Sequence, residues 1–141
     1  MIASLKRIFA EPYRVFFMAA GLYAVFALLV WEIWLGVHTA GGMVNDMPFA
    51  AAPHLWHAHE MIFGYASAAL GGFFLTAVPN WTGARGAAQA FVTVAVLVWL
   101  AGRLVIWFSG ALPPVAVAVI DLAFLPLLGL KIALMLVKRP K

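Results

Sequence analysis

Pro53-His54-Leu55-Trp56-His57-Ala58-His59-Glu60-Met61 runs without a break into the apolar stretch Ile62 to Val78. Three of the chain's four histidines and a glutamate therefore stand at the mouth of one long hydrophobic segment. A helix crosses a bilayer with ~20 apolar residues at 1.5 Å rise each, and residues 55–78 meet that length. Composition agrees: 66% of the residues are hydrophobic and 10% are charged, with a mean hydropathy of +1.03. Soluble domains are about half apolar and about a quarter charged. Too little polar surface remains to cover a soluble globule, and the chain reads as an integral membrane protein.

Working outward from that segment, the same pattern recurs three times. Residues 15–37 form an apolar run interrupted only by Glu32, after a short amphipathic lead that carries Lys6 and Arg7. The run is too long for the h-region of a signal peptide, about 7–15 residues, and no small-residue cleavage site follows it. Residues 89–108 form a third run, broken by Arg103, and residues 115–137 a fourth, with Asp121 near its start and Pro126 inside it. Proline removes a helical N–H and crowds the preceding turn, so a kink is expected there. Gly, Asn, Asp and Pro mark residues 38–53 as a loop, and Pro79-Asn80-Trp81-Thr82-Gly83 reads as a helix stop. The expected fold is an all-α, four-helix transmembrane bundle forming a single domain over residues 1–141.

The basic residues orient it. Lys6, Arg7, Arg14, Arg85, Lys138, Arg139 and Lys141 fall on one side of the four-span arrangement, and the two opposite connections carry none. By the positive-inside rule both termini face the cytoplasm. With its basic residues at span ends, the chain carries no nucleic-acid patch. Trp31, Trp34, Trp56, Trp81 and Trp107 stand at span ends, where indoles anchor to the interface. Cysteine is absent, which excludes disulfides and thiolate metal sites. His59-Glu60-Met61-Ile62-Phe63 begins like the zinc-protease pattern, but Phe63 stands where the second histidine is needed. Asn80-Trp81-Thr82 fits a glycosylation sequon on the cytoplasmic side, where that modification does not occur.

Ionisable side chains inside a bilayer are costly and usually pair or line a site. Glu32, His57, Glu60, Arg103 and Asp121 all fall in the outer layer of the four spans. Arg103 and Asp121 lie at matching depth on adjacent spans, which predicts an ion pair. At about 100° per residue, His57, Glu60, Met61, Gly64, Ala68, Gly71 and Gly72 share one stripe of the second span. Phe63, Ala66, Leu70, Phe73 and Phe74 lie opposite, and His59 falls with them. Gly64, Ala68 and Gly72 make a small-xxx-small ladder that admits a neighbouring backbone or a flat ligand. A neutral imidazole at His57 suits haem iron or copper. Met61 offers a thioether one turn away, and Glu60 a ligand or proton-carrying group.

Trp56-His57-Ala58-His59-Glu60-Met61-Ile62-Phe63-Gly64, followed by Gly72-Phe73-Phe74-Leu75-Thr76-Ala77-Val78-Pro79-Asn80-Trp81-Thr82-Gly83, resembles the NnrS family of bacterial membrane proteins. Trp99-Leu100-Ala101-Gly102-Arg103 and Asp121-Leu122-Ala123-Phe124 are similar to the same family. The resemblance is to the N-terminal part of that family's longer chains. It implies a multi-pass protein of the bacterial inner membrane that binds haem b and copper and takes part in the response to nitric oxide and nitrosative stress. It also implies His54, His57, His59 and Glu60 as site residues, with Arg103 as a counter-charge to haem propionates or to Asp121. His57, His59 and, from its place one turn from His57, Met61 are the candidate metal ligands. Nitric oxide is the implied ligand, and further spans, a second copy or another membrane subunit would complete the site.

Two other functions fit four spans. A small transporter would use Glu32 as its coupling carboxylate in an antiparallel dimer, against which stands the strong charge asymmetry. A subunit with an assembly role would use the Gly/Ala ladder as its docking face.

Overall fold

The computed structural model describes Phe9, residues 11–44 and residues 46–137. The basic lead with Lys6 and Arg7 and the basic end with Lys138, Arg139 and Lys141 lie outside the described residues. The described chain is helical, and four helices are long and apolar enough to cross a membrane. They are α1 (Pro12–Thr39), α2 (Pro53–Thr82), α3 (Gln89–Trp107) and α4 (Pro114–Val137). The four expected spans are therefore present, each within a few residues of its expected bounds. Their outward faces are apolar, with Leu22, Ile33, Leu97 and Leu130 among the exposed side chains. That pattern suits lipid rather than water.

Proline sets three of the four starts. Pro12, Pro53 and Pro114 each occupy the first turn, where the missing N–H would have had no intrahelical partner. The stop expected over Pro79 to Gly83 is made by its last residue: α2 continues through Pro79 and ends at Gly83, which adopts φ +68°. A left-handed residue ends a helix far more decisively than a proline near its last turn, and glycine takes that conformation without a Cβ penalty. Pro126 acts as expected but upstream of itself. Helix α4 is interrupted at Ala123 between Pro114–Leu122 and Phe124–Val137, next to Leu122, whose carbonyl would have bonded the N–H that Pro126 lacks.

Helix α2 is the organising element. It packs along α1 over much of its length and against the second half of α4, while α3 packs mainly on the first half of α4. Its buried face carries Glu60, Gly64, Ser67, Ala68, Gly71, Gly72, Leu75 and Val78, which keeps five residues of the expected stripe, while His57 and Met61 are only partly buried. The glycine ladder, however, receives aromatic rings rather than a bare backbone. A Cβ at Gly71 would meet Phe124 at 3.0 Å and Phe16 at 3.4 Å, and one at Gly72 would meet Phe16 and Phe17 at 3.0 Å. The main core follows from this arrangement, with Phe16, Ala68, Leu75, Val92, Trp99 and Phe124 in one cluster.

Between Pro53–His59 and Ser67–Thr82, α2 widens into a π-helix over Glu60–Ala66. Its bonds run between residues five apart, as in the Ser67 N–H that donates to the Ile62 carbonyl. Short π segments inside α-helices concentrate at functional sites, and this one begins at the buried glutamate.

A second, smaller cluster closes the end of the bundle where α2 begins. Phe49, from the 40–52 connection, stacks on Trp56 with centroids 4.7 Å apart and planes 9° from parallel. Ala27 and Trp107 join them. The connection is tied to the 3-10 turn Ser109–Ala111 by the Gly110 N–H donating to the Pro48 carbonyl at 3.1 Å. The Ala50 N–H donates to Ser109 Oγ at 3.0 Å. Both connections on this side are thus held as one cap.

Candidate functional site

Beneath that cap, four ionisable side chains and a phenol from all four helices meet in one network. Glu60 stands at the first turn of the π segment and is fully buried. Arg103, on α3, is 4% exposed; its Nη1 donates to Glu60 Oε2 at 2.8 Å and its Nη2 donates to Asp121 Oδ1. The expected Arg103–Asp121 pair is therefore present, and Glu60 extends it. The close approach of α3 to α4 that permits it depends on Gly102, where a Cβ would lie 3.2 Å from the Asp121 Cα. Tyr23 Oη, from α1, donates to Glu60 Oε2.

His59 completes the network, contrary to its position on an ideal helical stripe. Its Nδ1 lies 2.9 Å from Glu60 Oε1 and its Nε2 lies 3.1 Å from Asp121 Oδ2, and its ring stacks on Phe63. A neutral imidazole has one N–H, and ionised carboxylates only accept. Filling both contacts therefore takes one proton beyond a neutral histidine and two carboxylates. With that proton the four ionisable side chains sum to zero charge, the condition under which such a group tolerates a low-dielectric interior.

The network lies between two depressions in the surface. On the α2–α4 side a groove of about 450 Å³ is lined by His59 and Asp121 together with Phe63, Val117 and Leu122. On the α1–α3 side a groove of about 380 Å³ is lined by Arg103 and Tyr23 with Phe26, Leu104, Trp107 and Phe108.

The other sequence candidates are placed apart from this network. His57 stacks on Trp31 at 5.1 Å and 16°, and its Nδ1 is buried with no hydrogen-bond partner. Trp31 stacks in turn on Trp34, and Trp34 on His38, so four rings form a ladder along the outer end of α1. His54 lies within the first turn of α2 and is exposed. Met61 is half-buried against the Trp56 cluster. Glu32 is exposed on α1. The partner of Glu60 is thus His59 rather than His57. Among the described residues no three His, Asp or Glu side chains are gathered in a metal-holding group.

Tyr23 and His38 are the participants that the sequence reading passed over. A phenol in the middle of an otherwise apolar span was the available signal for Tyr23, since a buried hydroxyl requires a partner. The Trp31, Trp34, His38 spacing at three and four residues was the signal for the ladder.

These features define a four-span helical membrane protein with a charge-balanced cluster buried near one end of the bundle. The family model described as NnrS protein matches residues 7–141, and the chain belongs to that family. Neither the curated proteins nor the solved structures contain a match to it.

Proposed function

We propose that this NnrS-family chain is a haem- and copper-binding protein of the bacterial inner membrane that serves the response to nitric oxide, and that His57 is the ligand its own four spans supply. The observation that carries the assignment is the buried Nδ1 of His57, which has no partner in the protein. A buried polar atom without a partner is costly, and a metal-bearing group at this ring would remove that cost by using the free valence of the imidazole. His54 precedes His57 by three residues in the same helical turn, a spacing that places both side chains on one face. Together they offer an imidazole pair to copper, or His57 alone offers one imidazole to haem iron. Met61 adds a thioether one turn further on.

His59 does not fit a ligand role in this arrangement, because both ring nitrogens are already bonded to carboxylates. Nor does Arg103 offer a counter-charge to haem propionates, since Glu60 and Asp121 already neutralise its guanidinium. When bound, haem or copper supplies the coordination position at which nitric oxide binds. The chain's own residues do the rest. Trp31 holds the plane of the His57 ring by stacking, and the cap built on Phe49 and Trp56 covers the buried cluster, which holds a proton. The remaining ligands come from a further span, a second copy or another membrane subunit. Arg14 and Arg85, at the end of the bundle opposite the cap, support an orientation with both termini in the cytoplasm.

The test is an absorption spectrum of the purified protein, oxidised and dithionite-reduced, with iron and copper quantified on the same sample. The expected result is a Soret band that shifts on reduction, is lost in His57→Ala and persists in His59→Gln. A full band in His57→Ala overturns the ligand assignment. A colourless, metal-free wild-type protein overturns the reading for the isolated chain.

A further inference from the structure

We propose that the groove between α1 and α3 binds a planar, lipid-soluble ring bearing a carbonyl, the chemistry of a quinone headgroup, with Arg103 as its hydrogen-bond donor. Arg103 presents three kinds of N–H, and the cluster uses two of them: Nη1 on Glu60 and Nη2 on Asp121. The third, Nε–H, is buried and has no partner. Arg103 also forms part of the wall of the α1–α3 groove, so the one nitrogen of the network without a partner belongs to the residue that joins the network to that groove.

The charge balance selects the ligand class. Glu60 and Asp121 already neutralise the guanidinium, so a carboxylate or phosphate entering the groove would lose its hydration without meeting a net positive charge. A neutral acceptor meets no such penalty and needs only the single N–H. The walls select the shape. Tyr23, Phe26 and Trp107 present aromatic rings, with Tyr23 and Phe26 centroids 5.7 Å apart and Phe26 and Trp107 5.2 Å apart. Offset and tilted rings of this kind favour a flat partner. The rim selects the route. Leu104 and Phe108 are each 52% exposed on the apolar outer surface, so entry is sideways from the hydrocarbon phase. A volume of about 380 Å³ is within the range of small-molecule sites. His57 lines no part of this groove, and the inference stands or falls apart from the haem and copper reading.

The whole chain, reconstituted in phosphatidylcholine nanodiscs, is irradiated with a short-tailed azido-benzoquinone, and the labelled peptides are mapped by mass spectrometry. The expected label saturates and falls on the α1 and α3 segments around residues 23–26 and 100–108. Unlabelled benzoquinone competes it away, and the same excess of methyl oleate, an ester carbonyl on an acyl chain, does not. In Leu104→Trp, whose indole fills the groove from the lipid side, labelling falls roughly tenfold or more, as closure of a preformed pocket requires. Arg103→Lys keeps the positive charge without the Nε–H and loses the label as well. Because that change also touches the cluster, Leu104→Trp decides the matter if the lysine variant does not fold. Labelling that rises linearly with probe over all four helices overturns the proposal. So does equal competition by methyl oleate, which assigns the groove to lipid esters, or undiminished labelling in a folded Leu104→Trp.

Discussion

Replacing Arg103 by Met tests whether the buried cluster is held by its charge balance. The change leaves Glu60 and Asp121, whose side chains are 0% and 4% exposed, with the one positive charge of a protonated His59 between them and a net charge of −1. Removing one partner of a buried ion pair costs about 3–5 kcal/mol, because the other charge stays buried. Glu60→Gln alone preserves the shape and leaves Arg103 opposite Asp121 with a neutral His59. Its cost is the weakening of charge-assisted bonds, about 1–2 kcal/mol. In the double variant Asp121 faces a protonated His59 across 3.1 Å, and the charge again sums to zero. The double variant should therefore be more stable than the sum of the singles predicts, by about 2 kcal/mol, within the usual range for coupled neighbours. Reversible unfolding in mixed micelles, followed by tryptophan fluorescence and far-UV circular dichroism, measures all four corners of the cycle. Additivity within ~0.5 kcal/mol, or a cost for Arg103→Met below ~1 kcal/mol, would refute the charge-balance argument.

Three other outcomes follow from the geometry. Gly64→Ala places a Cβ against the Tyr23 ring and 3.1 Å from Glu60 Oε2, so it should cost about 1–3 kcal/mol by overpacking and separate Tyr23 from Glu60, seen as a changed tyrosine absorption in the near ultraviolet. Phe49→Ala removes the ring stacked on Trp56; a loss of about 3–5 kcal/mol and faster proteolysis within the 40–52 connection are expected, with unchanged cleavage counting against the cap. Glu32→Gln alters an exposed side chain outside the cluster and should shift stability by no more than ~0.5 kcal/mol, while a larger loss in the same unfolding assay would show that Glu32 bears on the fold.

The membrane class, the four spans and the buried face of α2 were legible in the residues because hydropathy and helical period are local properties of a chain. Matching depth on neighbouring antiparallel spans likewise sufficed to pair Arg103 with Asp121. The choice among the histidines was not legible. Seven residues of α2, Glu60–Ala66, advance with a π rather than an α period, so a stripe drawn at a constant angle drifts across the very turn that carries the site. Tyr23 meets Glu60 across 37 positions and His59 meets Asp121 across 62. Such meetings depend on how the helices are rotated about their own axes. That rotation is set by the packing of Phe16, Phe17 and Phe124 against the glycines of α2, and by the approach of α4 to Gly102. Hydropathy and spacing alone decide that this protein is a four-span helical membrane protein with its buried charges in one layer. Tertiary packing alone decides that His59 closes the cluster, that His57 is left with an unpartnered nitrogen against Trp31, and that Arg103 keeps its Nε without a partner, because those outcomes depend on helix rotation and no local period encodes it.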